Sequence, residues 1–519
     1  MYPRRLKFSS TPSATQSLLV FLLLAAVAAP FAIGLAMTRG ISHDEYQHLA
    51  AGALWAREGM LPYRDFPVLH MPYLAAIYGV LFQFTDHTVL AARGFAALCS
   101  AVIVALLGMI AFRRLSVRGP AIAWGAAFAT TALCLSSDMF TQGAGRAWNQ
   151  EPALLAALAA YLAWERGLES GRRSWLVFAG GLLGVTIGLR ITYAPLIAPL
   201  GLATLLGGGP WAPRLRAAAA FSAGLLAGLG GVFFFAWLAP EAFFFGNFEF
   251  PKANIDYRMA TGEPRTMTLL KKLRYFWKEV VRADVGFVIA TMLPILLTGW
   301  LVWKKQASWP RGLQRFALAL PFVLAGSLAP SPVFPQYFFP LMAFFTLAGL
   351  DALVVLPANS PFWRWAWRGS VLGVIVSLAT ISREYEGMKD ILKPREWVGF
   401  ELHEEAALLR QRVPNGRVLT LAPVLPLEAG LKIEPAFATG AFAWRVTPYI
   451  SPEKAARLHL PTKATLDAYL DAQPADAVLV GFEPAGEEAF IAYAKKRGFI
   501  ESRLEDKDER LWTAVKKSE

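Results

Sequence analysis

The sequence predicts an all-α polytopic membrane domain of about eleven transmembrane helices, followed by a small C-terminal α/β soluble domain. Three observations lead there. The chain of 519 residues is 55% hydrophobic and 17% charged, with a mean hydropathy of +0.40, too apolar for an ordinary soluble protein of this length. Its apolar residues gather into runs of about twenty, the length that crosses a bilayer as a helix. From about Arg383 to Glu519 the composition changes. Amphipathic helical patterns (396–413 and 487–499) alternate there with strand-like runs (417–422, 476–482 and 510–515). The expected division is residues 1–383 as the membrane domain, with the external loop 38–87 carrying the chemistry, and 384–519 as an external domain.

Arg4, Arg5 and Lys7 precede the first apolar run, 17–37, which resembles a signal peptide but continues past its Ala-Val-Ala-Ala stretch and is expected to stay as an uncleaved span. The polar stretch 38–87 is then external, and the span 88–112 returns to a basic loop with Arg113, Arg114 and Arg118. Spans at 120–137 and 151–165 lead out and back to Arg166, Arg172 and Arg173. The apolar segment 175–208 is interrupted by Gly-Leu-Arg-Ile-Thr-Tyr-Ala-Pro, so it reads as two short spans. An arginine at such a break, Arg190, should face water or a protein-lined pocket, because lipid exposure is expensive. Further spans at 217–239, 285–303, 314–330, 337–356 and 369–383 alternate with inner basic clusters (Arg214 and Arg216; Lys304, Lys305, Arg311 and Arg315; Arg364 and Arg368). The basic loops place the N-terminus on the cytoplasmic side of the membrane and the C-terminal domain on the opposite side, and the expected location is a bacterial inner membrane with that domain in the periplasm or outside the cell.

A net charge of +13 would suggest a nucleic-acid partner in a soluble chain, but here the basic residues border apolar runs and no nucleic-acid motif is present. Cys99 and Cys134 both fall within apolar runs and imply no disulfide framework.

Polar chemistry concentrates in residues 41–78. Asp44 and Glu45 are neighbours that a helix points about 100° apart, so one acts while the other orients. Asp44 and His48 share a face and could hold a carboxylate's geometry or contribute to a metal site; the plain alternative is a solvated interfacial helix. Pro62-Tyr63-Arg64-Asp65-Phe66 and His70-Met71-Pro72-Tyr73 read either as an aromatic interfacial loop or as one wall of a cleft. Arg146, Trp148, Asn149 and Glu151 mark the start of the fourth span, either as a sugar-binding wall or as a helix cap. The external loop 240–284 carries Lys252, Arg258, Arg265, Lys271, Lys272, Arg274, Lys278 and Arg282, a set suited to a lipid phosphate, and its part 268–281 is amphipathic and basic. Gln336 and Tyr337, within the Pro- and aromatic-rich run 331–340, can line a lipid-head or sugar pocket.

An acidic pair in the first external loop followed by Pro-Tyr-x-Asp-Phe resembles the GT-C superfamily of integral-membrane glycosyltransferases, notably protein O-mannosyltransferases and lipid A aminoarabinose transferases. Two departures stand out: His-Met-Pro at 70–72 where relatives often carry Pro-Pro, and Asn-Gln-Glu-Pro at 149–152 where an aspartate is common. The resemblance implies Asp44 as the base, Glu45 as its partner, and Glu151 as the second acidic site. Substrate contacts are expected from His48, Tyr63, Arg64, Asp65, His70, Arg146, Asn149, Glu151, Gln336 and Tyr337, and lipid-phosphate contacts from Arg190, Lys252, Arg258 and Arg265. The implied activity is inverting transfer of a hexosyl or pentosyl group from a polyprenyl-phosphate sugar to a hydroxyl on a lipid, glycan or protein, with membrane lipid as a further partner. The phosphate is its own leaving group, so no cofactor is required, although a divalent metal is compatible with the chemistry. The alternative is a secondary transporter or lipid flippase with the acidic pair as a cation site; such proteins place ionisable groups near the bilayer midplane and often contain repeats, neither of which this sequence shows.

Overall fold

The computed structural model describes residues 12–207, 210–262, 268–305, 309–381, 385–504 and 509–514. Helix α1 (Ala14–Thr38) starts at a capping box, in which the Ser13 hydroxyl accepts from the Gln16 N–H and the Gln16 side chain accepts from the Ser13 N–H. The polar stretch that follows is built of short helices. Helix α2 (His43–Glu58) ends at Gly59, whose φ of +65° suits a residue without a Cβ, and α3 (Tyr73–Leu81) packs against it. Gly52 allows that contact, since a Cβ there would lie 2.4 Å from the Tyr78 Cβ. Helix α4 (Thr88–Leu115) then pairs with α1, and α5 (Pro120–Ser136) opens on a proline that needs no N–H partner.

Each remaining apolar stretch is also helical: Gln150–Ser170, Arg173–Leu189, Ile197–Leu206, Trp211–Gly228, Gly230–Leu238, Val285–Trp303, Arg311–Leu328, Phe339–Val355 and Pro361–Thr380. Among the described residues, four helices are long and apolar enough to cross a membrane (Ala14–Thr38, Thr88–Arg118, Val285–Trp303 and Pro335–Val355), and the pair Trp211–Gly228 and Gly230–Leu238, bent by 47°, makes a fifth when counted as one span. Helices at Pro120–Ser136, Arg173–Leu189, Ile191–Leu206 and Gly312–Leu328 are apolar but shorter. The chain is a multi-pass membrane protein, and helix length by itself does not fix the eleven crossings expected. The break at Arg190 is present: the helix Arg173–Leu189 ends there in extended backbone, and a 3-10 turn, Ile191–Leu196, follows.

Helices Arg173–Leu189 and Trp211–Gly228 touch backbone to backbone through Gly180, Gly184, Gly224 and Gly228. A Cβ on Gly224 would lie 1.9 Å from the Val177 carbonyl oxygen, so only glycine admits this approach. Basic residues expected as orientation signals also act as clamps: Arg114 pairs with Asp351 at 2.5 Å and Glu165 at 3.4 Å, and Arg118 donates to the Val354 carbonyl at 2.7 Å.

The C-terminal domain is a five-stranded sheet in the order β2-β1-β3-β5-β4, from β1 (Arg417–Leu419), β2 (Lys432–Ile433), β3 (Ala477–Val480), β4 (Ile500–Arg503) and β5 (Arg510–Thr513). β1 runs parallel to β2 and β3, while β5 is antiparallel to β3 and β4. The helices Val398–Arg412 and Pro484–Lys496 arise from the two amphipathic patterns. β2 and β4 were not apparent in the sequence; β2 is two residues long and β4 is largely exposed, so neither shows an apolar run. The expected boundary at 383–384 lies outside the described residues.

Gly224→Val should lower thermal stability in detergent, by about 1–3 kcal/mol or more for overpacking. Gly201→Ala, where nothing approaches the added methyl, should leave the midpoint unchanged or slightly raised. Equal midpoints for Gly224→Val and the parent chain would refute the backbone contact.

Candidate functional site

The site is built around the first turn of α2. Glu45 is fully buried, and both its oxygens are taken. Arg93 on α4 donates from Nε to Oε1 at 2.9 Å and from Nη2 to Oε2 at 2.8 Å. The Ala147 N–H donates to Oε1 at 2.7 Å and the Ser42 N–H to Oε2 at 2.8 Å. Arg93 spends its other donors on the carbonyls of Ala36 at 2.8 Å, Arg39 at 2.5 Å and Gly40 at 3.1 Å. Burial alone would raise the Glu45 carboxyl, but the Arg93 charge and these hydrogen bonds outweigh it and hold the group below the usual carboxylate range. Glu45 is thus a strut joining α1, α2, α4 and the segment before Gln150, and it does not line the cavity.

Asp44, one residue earlier and turned away, faces a cavity of about 950 Å³. Arg146, Arg190, Arg258 and Arg445 line the same cavity. Asp44 makes no hydrogen bond or ion pair with any described residue; burial pushes its carboxyl above the ordinary aspartate range, against the pull of Arg445 and Arg146. His48 and His70 stack with ring centroids 4.8 Å apart. Burial depresses both, His70 to about 4, so both imidazoles are neutral near pH 7. Arg190 is held by Asn149 Oδ1 at 2.8 Å and Thr192 Oγ1 at 3.0 Å, and its guanidinium lies 5.1 Å from the centre of the Tyr337 ring. The break in the helical segment therefore delivers its arginine to a protein-lined pocket.

Of the residues expected from sequence, Asp44, His48, His70, Arg146, Asn149, Arg190, Arg258, Gln336 and Tyr337 line this cavity. Tyr63, Arg64 and Asp65 do not. They form a tight turn in which Tyr63, at φ +66°, buries its ring and donates its hydroxyl proton to the His70 carbonyl. Asp65 accepts from Arg64 Nε at 2.8 Å and from the Leu61 N–H at 2.7 Å, so the pair is consumed locally. Glu151 is also off the cavity: it is fully buried, and Oε1 accepts from the Gly145 N–H at 2.8 Å. Lys252 is exposed and not part of the lining, and Arg265 lies outside the described residues. Sequence reasoning missed Asn247 and Asn254 of the long loop, and Phe442 and Arg445 of the C-terminal domain. Arg445 donates to Asn254 Oδ1 at 2.8 Å and packs on Phe442 and Tyr257. One arginine in the apolar run Ala-Phe-Ala-Trp-Arg-Val was its only local signal.

No family profile and no curated protein matches the sequence. Among solved structures, ArnT from Cupriavidus metallidurans bound to undecaprenyl phosphate is 16% identical, with 97% of this chain and 99% of that chain covered and a TM-score of 0.58. The apo state of ArnT matches at 15% identity, 96% and 98% coverage and a TM-score of 0.59. The fold is the GT-C membrane fold. The match runs through the C-terminal sheet as well as the helices, since nearly the whole of both chains is covered. The arabinosyltransferase EmbB from Mycobacterium smegmatis is a more distant match, at 13% identity, 78% and 43% coverage and a TM-score of 0.40.

Arg93→Ala should strand the Glu45 charge in the interior and cost about 3–5 kcal/mol of stability. Unfolding of the detergent-solubilised protein checks this, with Arg64→Ala at the exposed Arg64–Asp65 pair as a control worth roughly 0–1 kcal/mol. Equal losses in the two variants would contradict the strut.

Proposed function

We propose that this GT-C-fold protein is an inverting glycosyltransferase that moves a sugar from a polyprenyl-phosphate donor to a hydroxyl acceptor at the outer face of the membrane. The observation that carries the reading is Asp44: a cavity-facing carboxylate with no described partner, raised by burial and set among arginines. ArnT, which shares the fold, was crystallised with undecaprenyl phosphate, and that supports a polyprenyl-phosphate ligand in this cavity.

In this reaction the acceptor oxygen attacks the anomeric carbon while Asp44 takes its proton. The bond from the anomeric carbon to the phosphate oxygen breaks, and its electron pair leaves with the polyprenyl phosphate. Arg190 and Arg258 bind that phosphate through charge-assisted hydrogen bonds, which strengthen as negative charge develops on the leaving oxygen. The neutral imidazoles of His48 and His70, with Asn149 and Gln336, offer both donors and acceptors to sugar hydroxyls. Arg146 and Arg445 keep Asp44 ionised enough to act, against the burial that makes it a stronger base. The positive-inside pattern of the basic loops supports a cavity outside the cytoplasm, with the C-terminal domain on the same side.

Asp44→Asn, an isosteric change, should reduce transfer from a labelled polyprenyl-phosphate sugar in membranes by about 10²–10⁴-fold, the usual contribution of a general base. Near-normal turnover would remove Asp44 from this role. Because the base acts ionised and its carboxyl is raised, activity should fall as pH drops through a midpoint above the ordinary aspartate value of 3.8. A pH–rate profile flat on its acid side down to that value would contradict the assignment.

A further inference from the structure

Away from the cavity, the C-terminal domain meets the start of α4. His87 immediately precedes that helix, His403 lies on the helix Val398–Arg412, and Glu428 ends a short helix, Val424–Glu428. One ligand atom from each lies within 4.8 Å of the other two. The imidazoles of His87 and His403 face each other, with ring centroids 3.9 Å apart. Glu428 is buried, and its Oε2 accepts from the Thr88 N–H at 3.0 Å, the Val89 N–H at 3.4 Å and the Thr88 hydroxyl. The positive end of α4 thereby fixes the carboxylate and leaves Oε1 pointing at His403 Nδ1, 3.0 Å away. His87 Nδ1 is buried with no hydrogen-bond partner among the described residues. Phe400 covers the His87 ring edge to face at 5.7 Å, giving the cluster an apolar shield.

We propose that His87, His403 and Glu428 bind a divalent transition metal, zinc by chemical preference, that staples the C-terminal domain to the first turn of α4. Two imidazoles and one carboxylate match the nitrogen and oxygen ligands zinc takes, with water as the fourth. Bonds of about 2.0–2.2 Å in a tetrahedron set ligand atoms roughly 3.3–3.6 Å apart, so side-chain rotation alone closes the cluster around an ion. The carboxylate is already oriented by the helix, as ligands at structural metal sites are. The bare alternative is a His403–Glu428 ion pair with no metal.

The test uses the full chain purified in detergent, stripped with chelator and dialysed against zinc chloride, with metal content read by mass spectrometry and unfolding followed by temperature. The parent chain should retain one zinc and melt higher with it. His87→Ala and His403→Ala should lose both the ion and the shift, while His48→Ala, which removes a cavity histidine, should keep them. Should His403→Ala fail to fold, His403→Asn with a spectral titration of the parent chain by cobalt(II) decides: tetrahedral absorption present in the parent and absent in the variant supports the site. Zinc content that is equal in the parent chain and the His403 variants, or no metal bound by the parent chain, overturns it.

Discussion

The buried ion pair between Glu45 and Arg93 is the constraint on which the site depends. A charged pair in an interior is stable only when its remaining donors and acceptors are satisfied. Here all five guanidinium hydrogens have acceptors, and the carboxylate takes two backbone N–H groups besides the two from arginine. The acceptors include the last carbonyls of α1, and the donors include Ala147, so one pair sets how α1, α2 and α4 meet at the cavity mouth. With Glu45 fixed inward, helical geometry turns Asp44 about 100° away and into the cavity.

That arrangement separates two adjacent carboxylates by environment. Glu45 is surrounded by donors and held below the usual carboxylate range; Asp44 is desolvated, without a described partner, and more basic. The surrounding arginines come from four distant parts of the chain, at 146, 190, 258 and 445; the Arg258 guanidinium lies 5.7 Å from the centre of the Phe334 ring, and the other three are held by hydrogen bonds. Asn149 and Thr192 grip Arg190, Asn254 and two aromatic rings grip Arg445, and the Gly40 carbonyl accepts from Arg146 at 3.3 Å. A cavity with more fixed cations than anions favours an anionic ligand before any specific contact forms. The C-terminal domain takes part directly, because Arg445 lines the cavity and Glu483 pairs with His43 beside Asp44.

Much of this was legible in the sequence, and the limits have physical causes. Apolar runs of span length located the helices, and the interruption at 188–195 located the broken segment with Arg190. The 100° rule separated Asp44 from Glu45, but nothing in the local sequence pointed to Arg93, an arginine inside an apolar run whose partner lies 48 residues earlier. Tyr63-Arg64-Asp65 looked chemical because it is polar, yet a turn with positive φ at Tyr63 uses those groups to hold itself together. Glu151 is drawn off the cavity for a similar reason: the start of the helix Gln150–Ser170 buries the acid against Gly145, while Asn149, expected beside it, lines the cavity. Arg445 was out of reach because its role arises from packing between segments nearly 200 residues apart.

In the proposed reaction the arginine-lined cavity beside Asp44 receives the phosphate of a polyprenyl-phosphate sugar, with its anomeric carbon presented to that carboxylate. A cryo-electron microscopy map of the Asp44→Asn protein with bound undecaprenyl phosphate tests it most directly. Phosphate density is expected within hydrogen-bonding distance of the Arg190 and Arg258 guanidiniums, on the side of the cavity that holds residue 44. Phosphate density instead on the exposed basic helix Leu269–Phe276, with the cavity filled only by solvent, would contradict it.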